Sequence, residues 1–158
     1  MLSFLGEYDV KVDAKGRLKL PSGLKKQLQP EDQGRFVLSR GIEQHLTLYP
    51  LGQWNKIVQE INKLNPYVKQ NREFIRYFLR GATELSLDGN DRLNLPKKLM
   101  EYAGIAKDVI LFAHGTKIEV WAQDLYDQMI DQEPGDFAQL AEEVMGNLNT
   151  NDDNDLKD

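Results

Sequence analysis

The sequence predicts an α+β fold made of two equivalent halves, each with a strand, a turn, a second strand and a short helix, then another hairpin and another helix. Three observations support this prediction. A motif recurs in register after 75 residues, apolar and polar residues alternate with the period of β-strands in each copy, and apolar residues return to helical spacing after each pair of strands. Self-similarity at a fixed offset indicates a repeated structural unit.

The composition is that of an ordinary globular protein. The chain has 158 residues, of which 41% are hydrophobic and 28% charged, and it contains no cysteine. Disulfides, thiolate zinc sites and cysteine nucleophiles are therefore excluded. No run is apolar enough for a membrane span, and the start lacks the features of a signal peptide. We expect a cytoplasmic protein.

The negative charge is concentrated near the end of the chain. The formal net charge is −5, but residues 131–158 contain nine acidic residues and one lysine, a local net charge of −8. The rest of the chain therefore has a net charge of +3. Nucleic-acid binding remains compatible with this sequence, because the distribution of charge matters more than its sum.

The repeat relates residues 6–21 to residues 81–96 without a slip in register. The first copy reads GEYDVKVDAKGRLKLP and the second reads GATELSLDGNDRLNLP. The identical positions include the three that define the motif, namely Asp13 and Asp88, Arg17 and Arg92, and Pro21 and Pro96.

Each copy is predicted to form a β-hairpin with a basic outer side, followed by a short helix. Residues 8–13 alternate as in a strand with one exposed face, and residues 18–20 resume the pattern after a tight loop. Gly16 can adopt positive φ in this loop, and Asp13 can accept hydrogen bonds from the backbone of the loop. Pro21 suits the first turn of a helix, where its missing donor is not needed.

Further elements complete each half. The predicted second hairpins pair residues 36–39 with 46–49 and residues 109–112 with 118–121, and the predicted helices include residues 54–64, 67–80 and 137–148. Residues 149–158 are polar and acidic, which predicts disorder. The predicted domains are the repeats 5–54 and 80–126, a helical linker 55–79, a C-terminal helical extension 127–148 and the acidic tail 149–158.

A hairpin that contains Asp-x-x-x-Arg and closes in Leu-Pro, present twice in a chain of this size, resembles the MraZ family over residues 1–129. The resemblance implies a tandem SpoVT-AbrB, or swapped-hairpin, β-barrel whose two halves intertwine about a pseudo-twofold axis. It also implies a DNA-binding transcriptional regulator of the division and cell-wall gene cluster that assembles into ring homo-oligomers and associates with the nucleoid. We expect repression of the protein's own cluster, through repeated promoter elements in double-stranded DNA.

Five basic residues are the expected DNA contacts. Arg17 is expected to read guanine from a strand in the major groove, and the alternative is a surface ion pair with Asp13. Lys15 and Lys19 fit phosphate contacts better. In the second copy Asp91 replaces the glycine that precedes the arginine, so the first hairpin is expected to dominate. The full set is Lys11, Lys15, Arg17, Lys19 and Arg92.

The other motif residues are assigned to structure. Asp13 and Asp88 are expected to fix their turns, and a catalytic acid pair is disfavoured because the repeat places them in separate hairpins. Gly16, Pro21 and Pro96 are expected to shape the turns and the helix starts that follow.

Two further basic groups have open assignments. Arg72, Arg76 and Arg80 recur every fourth residue, and we expect them at an interface between subunits, with an electropositive stripe as the alternative. Lys25 and Lys26 could equally be DNA contacts or a solvated helix face.

The histidines and tryptophans are not assigned a role in catalysis or metal binding. His45 and His114 have no partner at metal-ligand spacing and are expected at the surface, while Trp54 and Trp121 are expected in the core. The sequence has no phosphate loop, zinc pattern or nucleophile elbow. We expect no metal, cofactor, small-molecule substrate or catalytic activity. The alternative function is a protein-interaction module, such as an antitoxin-like partner of another protein.

Overall fold

The computed structural model describes residues 2–132 and 135–157, with the side chains of the second stretch described as far as residue 148. Eight strands, six α-helices and a short 3₁₀ helix (Pro30–Asp32) form in these residues, which confirms the α+β class. The strands are β1 (Phe4–Lys11), β2 (Arg17–Lys19), β3 (Arg35–Arg40), β4 (Leu46–Pro50), β5 (Thr83–Ser86), β6 (Arg92–Asn94), β7 (Asp108–Gly115) and β8 (Lys117–Ala122). The helices are α1 (Ser22–Lys25), α2 (Leu51–Ile61), α3 (Lys69–Leu79), α4 (Lys97–Ala103), α5 (Gln123–Asp131) and α6 (Phe137–Lys157).

The two halves of the repeat are interleaved in one antiparallel sheet. Its strand order is β1-β7-β8-β4-β3-β5. The first strand of each half therefore pairs with the third strand of the other half, since β1 pairs with β7 and β5 pairs with β3. In the residues described, β1 and β5 are the edges of an open sheet, so the closed barrel implied by the resemblance is not confirmed.

A second, two-stranded ribbon joins the halves at equivalent positions. Strands β2 and β6 pair antiparallel, with Leu18 opposite Leu93, and these two residues are related by the same offset of 75 as the motif. The ribbon therefore lies across the axis that relates the two halves.

The core between the sheet and the ribbon follows from the two-residue alternation of the strands, which points every second side chain to one face. In β1, for example, Phe4 is buried and Leu5 is exposed. The side chains that are at most 1% exposed include Leu18, Leu20, Leu24, Phe36, Leu38, Leu46, Leu93, Val109, Leu111, Ile118 and Val120.

The predicted first hairpin is wrong in both halves. Beyond the turn of the first copy, only a single bridge between Val12 and Leu18 joins the two strands, and β2 pairs with β6 instead. The period of two fixes which side chains face the core, but it does not identify the partner strand. The alternation requires only that Leu18 be buried. Pairing of β2 with β1 or with β6 would meet this requirement, and in the structure Leu18 is buried against Leu93.

The second hairpins and the main helices agree with the sequence prediction. Strand β3 pairs with β4 and β7 pairs with β8. Helix α2 ends at Ile61, a few residues before the predicted end, and α3 occupies most of the predicted range 67–80.

His45 is buried, so its predicted surface position is wrong. It is 4% exposed and stacks on Trp121 with ring centroids 4.4 Å apart. The turn after β3 folds back because Gly41 donates its N–H to the carbonyl of His45 at 2.7 Å. A Cβ on Gly41 would lie 2.2 Å from Nε2 of the ring, so glycine permits this burial. Trp121 is buried as predicted, whereas Trp54 is only half-buried.

The chain divides into two compact units, residues 1–126 and residues 127–158. In the second unit, α6 continues to Lys157, whereas disorder was predicted from residue 149. Extending an existing helix costs much less than starting one, so the backbone of polar residues can continue a helix that has already formed. Within the described ranges, no helix is both long and apolar enough to cross a membrane.

Candidate nucleic-acid interface

The ribbon of β2 and β6 brings basic residues of both halves together on one face. Arg17 lies opposite Asn94, and Lys19 lies opposite Arg92. Leu18 and Leu93 between them are each 1% exposed and point into the core. Because side chains alternate along a strand, the four flanking side chains lie on the outer face. We call these four residues, Arg17, Lys19, Arg92 and Asn94, the basic ribbon.

The turn before β2 holds Arg17 in a fixed position. Oδ1 of Asp13 accepts the backbone N–H groups of Lys15 and Arg17, both at 2.9 Å. Oδ2 accepts Nε of Arg17 at 2.8 Å. One carboxylate thus closes the turn and orients the guanidinium group at the same time.

The turn before β6 repeats this arrangement. Oδ1 of Asp88 accepts the backbone N–H groups of Asn90 at 2.8 Å and Arg92 at 2.9 Å, and Oδ2 accepts Nε of Arg92 at 2.9 Å. In the part of the chain that the structure describes, neither arginine makes another ion pair. Each therefore has its two terminal nitrogen groups left to bind a ligand.

The hydrogen bonds in the turns lower the carboxyl pKa values. The pKa of Asp13 lies below its ordinary value, chiefly because the charged form accepts the backbone N–H of Arg17. The pKa of Asp88 is lowered for the same reason by the backbone N–H of Arg92. The ionised form of each aspartate therefore stabilises its turn.

This dependence gives a prediction for Asp13→Asn. A lowered folded pKa means that the carboxylate stabilises the fold above a pH of about 4, the ordinary range of an aspartate. The contribution is lost as the pH falls through the lowered folded value. In urea unfolding between pH 7 and pH 2.5, we expect the variant to be less stable than wild type at pH 7 and to converge with it at low pH. Asp108→Asn, at an exposed aspartate outside the turns, serves as the control. A constant difference between Asp13→Asn and wild type across this range would contradict the prediction.

Gly16 and Asp91 occupy equivalent positions in the two turns and share an unusual backbone conformation. Their φ angles are +80° and +60°. Each carbonyl accepts a hydrogen bond from the opposite half: Leu95 donates its N–H to the Gly16 carbonyl, and Leu20 donates its N–H to the Asp91 carbonyl, both at 2.8 Å. Aspartate tolerates this region better than most residues. Asp91 can therefore take the place of a glycine and keep the hydrogen bond between the two halves.

The carboxylate of Asp91 is paired away from the neighbouring arginine. It forms an ion pair with Lys25 at 2.8 Å, and Arg92 is held by Asp88 instead. Lys25 is therefore engaged with the second turn, while Gly16 in the first turn contributes no carboxylate. The two turns match in geometry and differ in charge.

The structure brings together only part of the predicted set. Arg17, Lys19 and Arg92 lie on the basic ribbon, and Lys15 is exposed in the adjoining turn. Lys11 is exposed at the end of β1 opposite Asp108, on the other sheet. Sequence reasoning missed Asn94, since its place beside Arg17 depends on a strand pairing that the repeat does not reveal.

The two prolines precede the short helices. Pro21 and Pro96 each stand immediately before a helix, α1 and α4, at its N-terminal cap position. Pro21 was predicted in the first turn of its helix, and both prolines lie one residue before that turn. Both therefore mark where the ribbon strand ends and the chain turns into a helix.

The two arginines of α3 and the Arg80 that follows it do not belong to the basic ribbon. Arg72 donates from Nη1 to the carbonyl of Pro66 at 2.8 Å, which fixes the start of the helix. Arg76 and Arg80 are exposed. Their predicted place at a subunit interface stays a prediction.

The chain is similar to known proteins over nearly all of its length. A family model described as "MraZ protein, putative antitoxin-like" matches residues 3–76 and 78–148. A protein of Flavobacterium psychrophilum named "Transcriptional regulator MraZ" is 48% identical over 94% of this chain and 96% of its own length. Proteins of the same name from Christiangramia forsetii and Clostridium tetani are 46% and 34% identical, over 93% and 89% of this chain and 96% of each relative. The two matched segments correspond to the two interleaved halves, and the chain belongs to the MraZ family.

Proposed function

We propose that this chain is a sequence-specific, DNA-binding transcriptional regulator that contacts DNA through the basic ribbon and its two turns. The observation that supports this proposal most strongly is the pair of equivalent arginines, each oriented by an aspartate and each with free donors on its outer side. The name "Transcriptional regulator" of the relatives also supports it.

The geometry suits direct reading of base edges. A two-stranded ribbon fits the major groove, where an arginine fork can bind O6 and N7 of guanine. Holding Nε of Arg17 on Asp13 fixes the plane of the fork before DNA arrives, which reduces the entropy lost on binding. Lys15 and Lys19 then lie where phosphate contacts would fix the register without reading sequence.

The two turns are proposed to contribute unequally. The first turn contains Lys15 and Gly16, whereas the equivalent residues of the second are Asn90 and Asp91. The Asp91 carboxylate neutralises Lys25, so this pair offers phosphate no net positive charge. Arg17 is therefore the dominant contact in this proposal and Arg92 the weaker one.

Assembly on DNA is proposed to combine weak contacts. Several copies in a ring would place their ribbons on successive promoter elements, so that binding of one copy raises the effective concentration of the next. Occupied promoter elements would block transcription of the protein's own division and cell-wall cluster. The proposed location is therefore the cytoplasm, on the nucleoid.

The test of this assembly compares two lengths of DNA. Footprinting of the upstream region first defines the protected elements, and affinity is then measured for a fragment with all elements and for a duplex with one. We expect the longer fragment to bind on the order of 100-fold more tightly or better, as for linked sites that bind together. Equal affinities would show that the copies bind independently and would contradict the ring proposal.

A second candidate function is a protein-interaction module without a DNA target. The antitoxin-like description of the family model favours it. Purification from the native host distinguishes the two candidates: a stoichiometric protein partner together with absence of DNA binding would favour the interaction module.

A further inference from the structure

Helix α3 has an aromatic side that the fold leaves uncovered. None of its residues is buried, and Phe74 and Tyr77 are 52% and 70% exposed. Its inner side rests on α2, where Phe78 stacks on Trp54 with ring centroids 5.7 Å apart. An amphipathic helix normally buries its apolar side, so α3 has apolar area left for another partner.

A cavity of about 460 Å³ opens beside this aromatic side. Its apolar lining includes Ile42, Phe74, Tyr77, Phe78 and Tyr102, and Ile42 is 96% exposed. Its charged lining is balanced, with two basic and two acidic side chains, Arg40, Lys117, Glu43 and Glu119. We call this depression the α3 groove. Large apolar side chains exposed together at one depression are a feature of interaction sites.

Helix α6 has an exposed apolar side of its own. The exposed apolar side chains are Phe137, Leu140, Val144, Met145 and Leu148, with exposures from 38% to 73%. They fall at the three- and four-residue spacing with which an amphipathic helix places its anchors in a hydrophobic groove.

The two helices have opposite charge. Helix α3 and the Arg80 that follows it contain one lysine and three arginines against one glutamate, whereas residues 137–157 contain five acidic residues and one lysine. Two α3 surfaces would repel each other, and so would two α6 surfaces, whereas α6 and α3 attract. Charge complementarity of this kind selects partners and suppresses like-with-like contacts.

We propose that α6 of one copy docks by its apolar side in the α3 groove of a second copy of the chain. This contact joins two different surfaces, so each copy donates one helix and receives another. Head-to-tail contacts of this type generate closed rings when the rotation closes. The inference deepens the ring assembly of the proposed function and rests on that part of it.

Two single substitutions test the contact from each side. Val144→Glu places a carboxylate on the apolar side of α6, and Tyr77→Glu places one at the α3 groove. In light scattering of the full chain without DNA, we expect wild type to form a multimer and both variants to fall to the mass of one chain, 18.2 kDa. Gln139→Glu adds the same carboxylate to the opposite side of α6 and should leave the multimer intact. Circular dichroism checks that all variants fold.

A mixture of the two variants makes the test decisive. The intact α6 of Tyr77→Glu can still enter the intact groove of Val144→Glu, and neither chain can extend further. We therefore expect an equimolar mixture to give a species of about twice the mass of one chain. A monomeric wild type, a multimeric Val144→Glu, or a mixture that stays monomeric would each overturn the proposal.

This test is independent of DNA recognition. The two substituted residues lie outside the basic ribbon. Both variants should therefore bind a duplex that contains one promoter element as tightly as wild type does. If wild type forms the multimer but binds no DNA, the docking proposal stands and the proposed function fails.

Discussion

Replacing Arg17 with alanine is expected to weaken specific DNA binding by roughly 5- to 150-fold, the effect of losing about 1–3 kcal/mol from one arginine contact to guanine. The structure supports this expectation because Asp13 uses only Nε of the guanidinium group, at 2.8 Å. The remaining donors stay available on the outer face of the basic ribbon. Fluorescence anisotropy with DNA from the protein's own upstream region gives the measurement.

Two matched variants separate recognition from charge. Arg17→Lys keeps the positive charge but loses the planar fork, so it should retain most non-specific affinity and lose most of the preference for the specific sequence. Arg92→Ala should show the same loss in smaller degree, because the second turn contains Asp91. A larger effect of Arg92→Ala than of Arg17→Ala would contradict the proposed dominance of the first turn.

Leu18→Ala is expected to destabilise the fold by about 2–5 kcal/mol, the usual range for removing a buried leucine side chain. Leu18 is 1% exposed and faces Leu93, which is equally buried. Its loss leaves a cavity beneath the ribbon at the point where the two halves meet. The free energy of unfolding from urea titration measures this effect.

The symmetry of the ribbon supplies the controls for that experiment. Leu93→Ala should destabilise the fold by a similar amount, since it is the equivalent residue of the other half. Lys19→Ala, on the exposed face of the same strand, should change stability by no more than about 0.5 kcal/mol. A small effect of Leu18→Ala with a large effect of Lys19→Ala would reverse the assigned faces of the ribbon.

The sequence predicted the repeat and the α+β class because these depend on local information. The motif at an offset of 75 residues and the alternation of apolar residues identify equivalent strands, and the second hairpins follow from short turns between paired strands. The partner of β2 was missed, since pairing with β6 depends on a residue pair, Leu18 and Leu93, that is far apart in sequence. Alternation assigns a face and leaves the partner open.

The candidate site shows the same limit. Its basic residues could be chosen from the motif, but their arrangement on one ribbon could not, because it results from interleaving of the two halves. The place of Asn94 beside Arg17 and the pairing of Asp91 with Lys25 are both contacts between the halves. His45 was misplaced for a related reason, since its burial depends on a stack with Trp121 on another hairpin.

We propose that the basic ribbon recognises a DNA sequence. A salt titration tests this claim with wild type and the Arg17→Ala/Arg92→Ala double variant, each on the protein's own upstream DNA and on a shuffled sequence of equal length. We predict that wild type prefers the upstream DNA at every salt concentration, that affinity falls linearly with the logarithm of salt concentration, and that the double variant binds both sequences equally. Equal affinity of wild type for the two sequences, or an unchanged preference in the double variant, would contradict the claim.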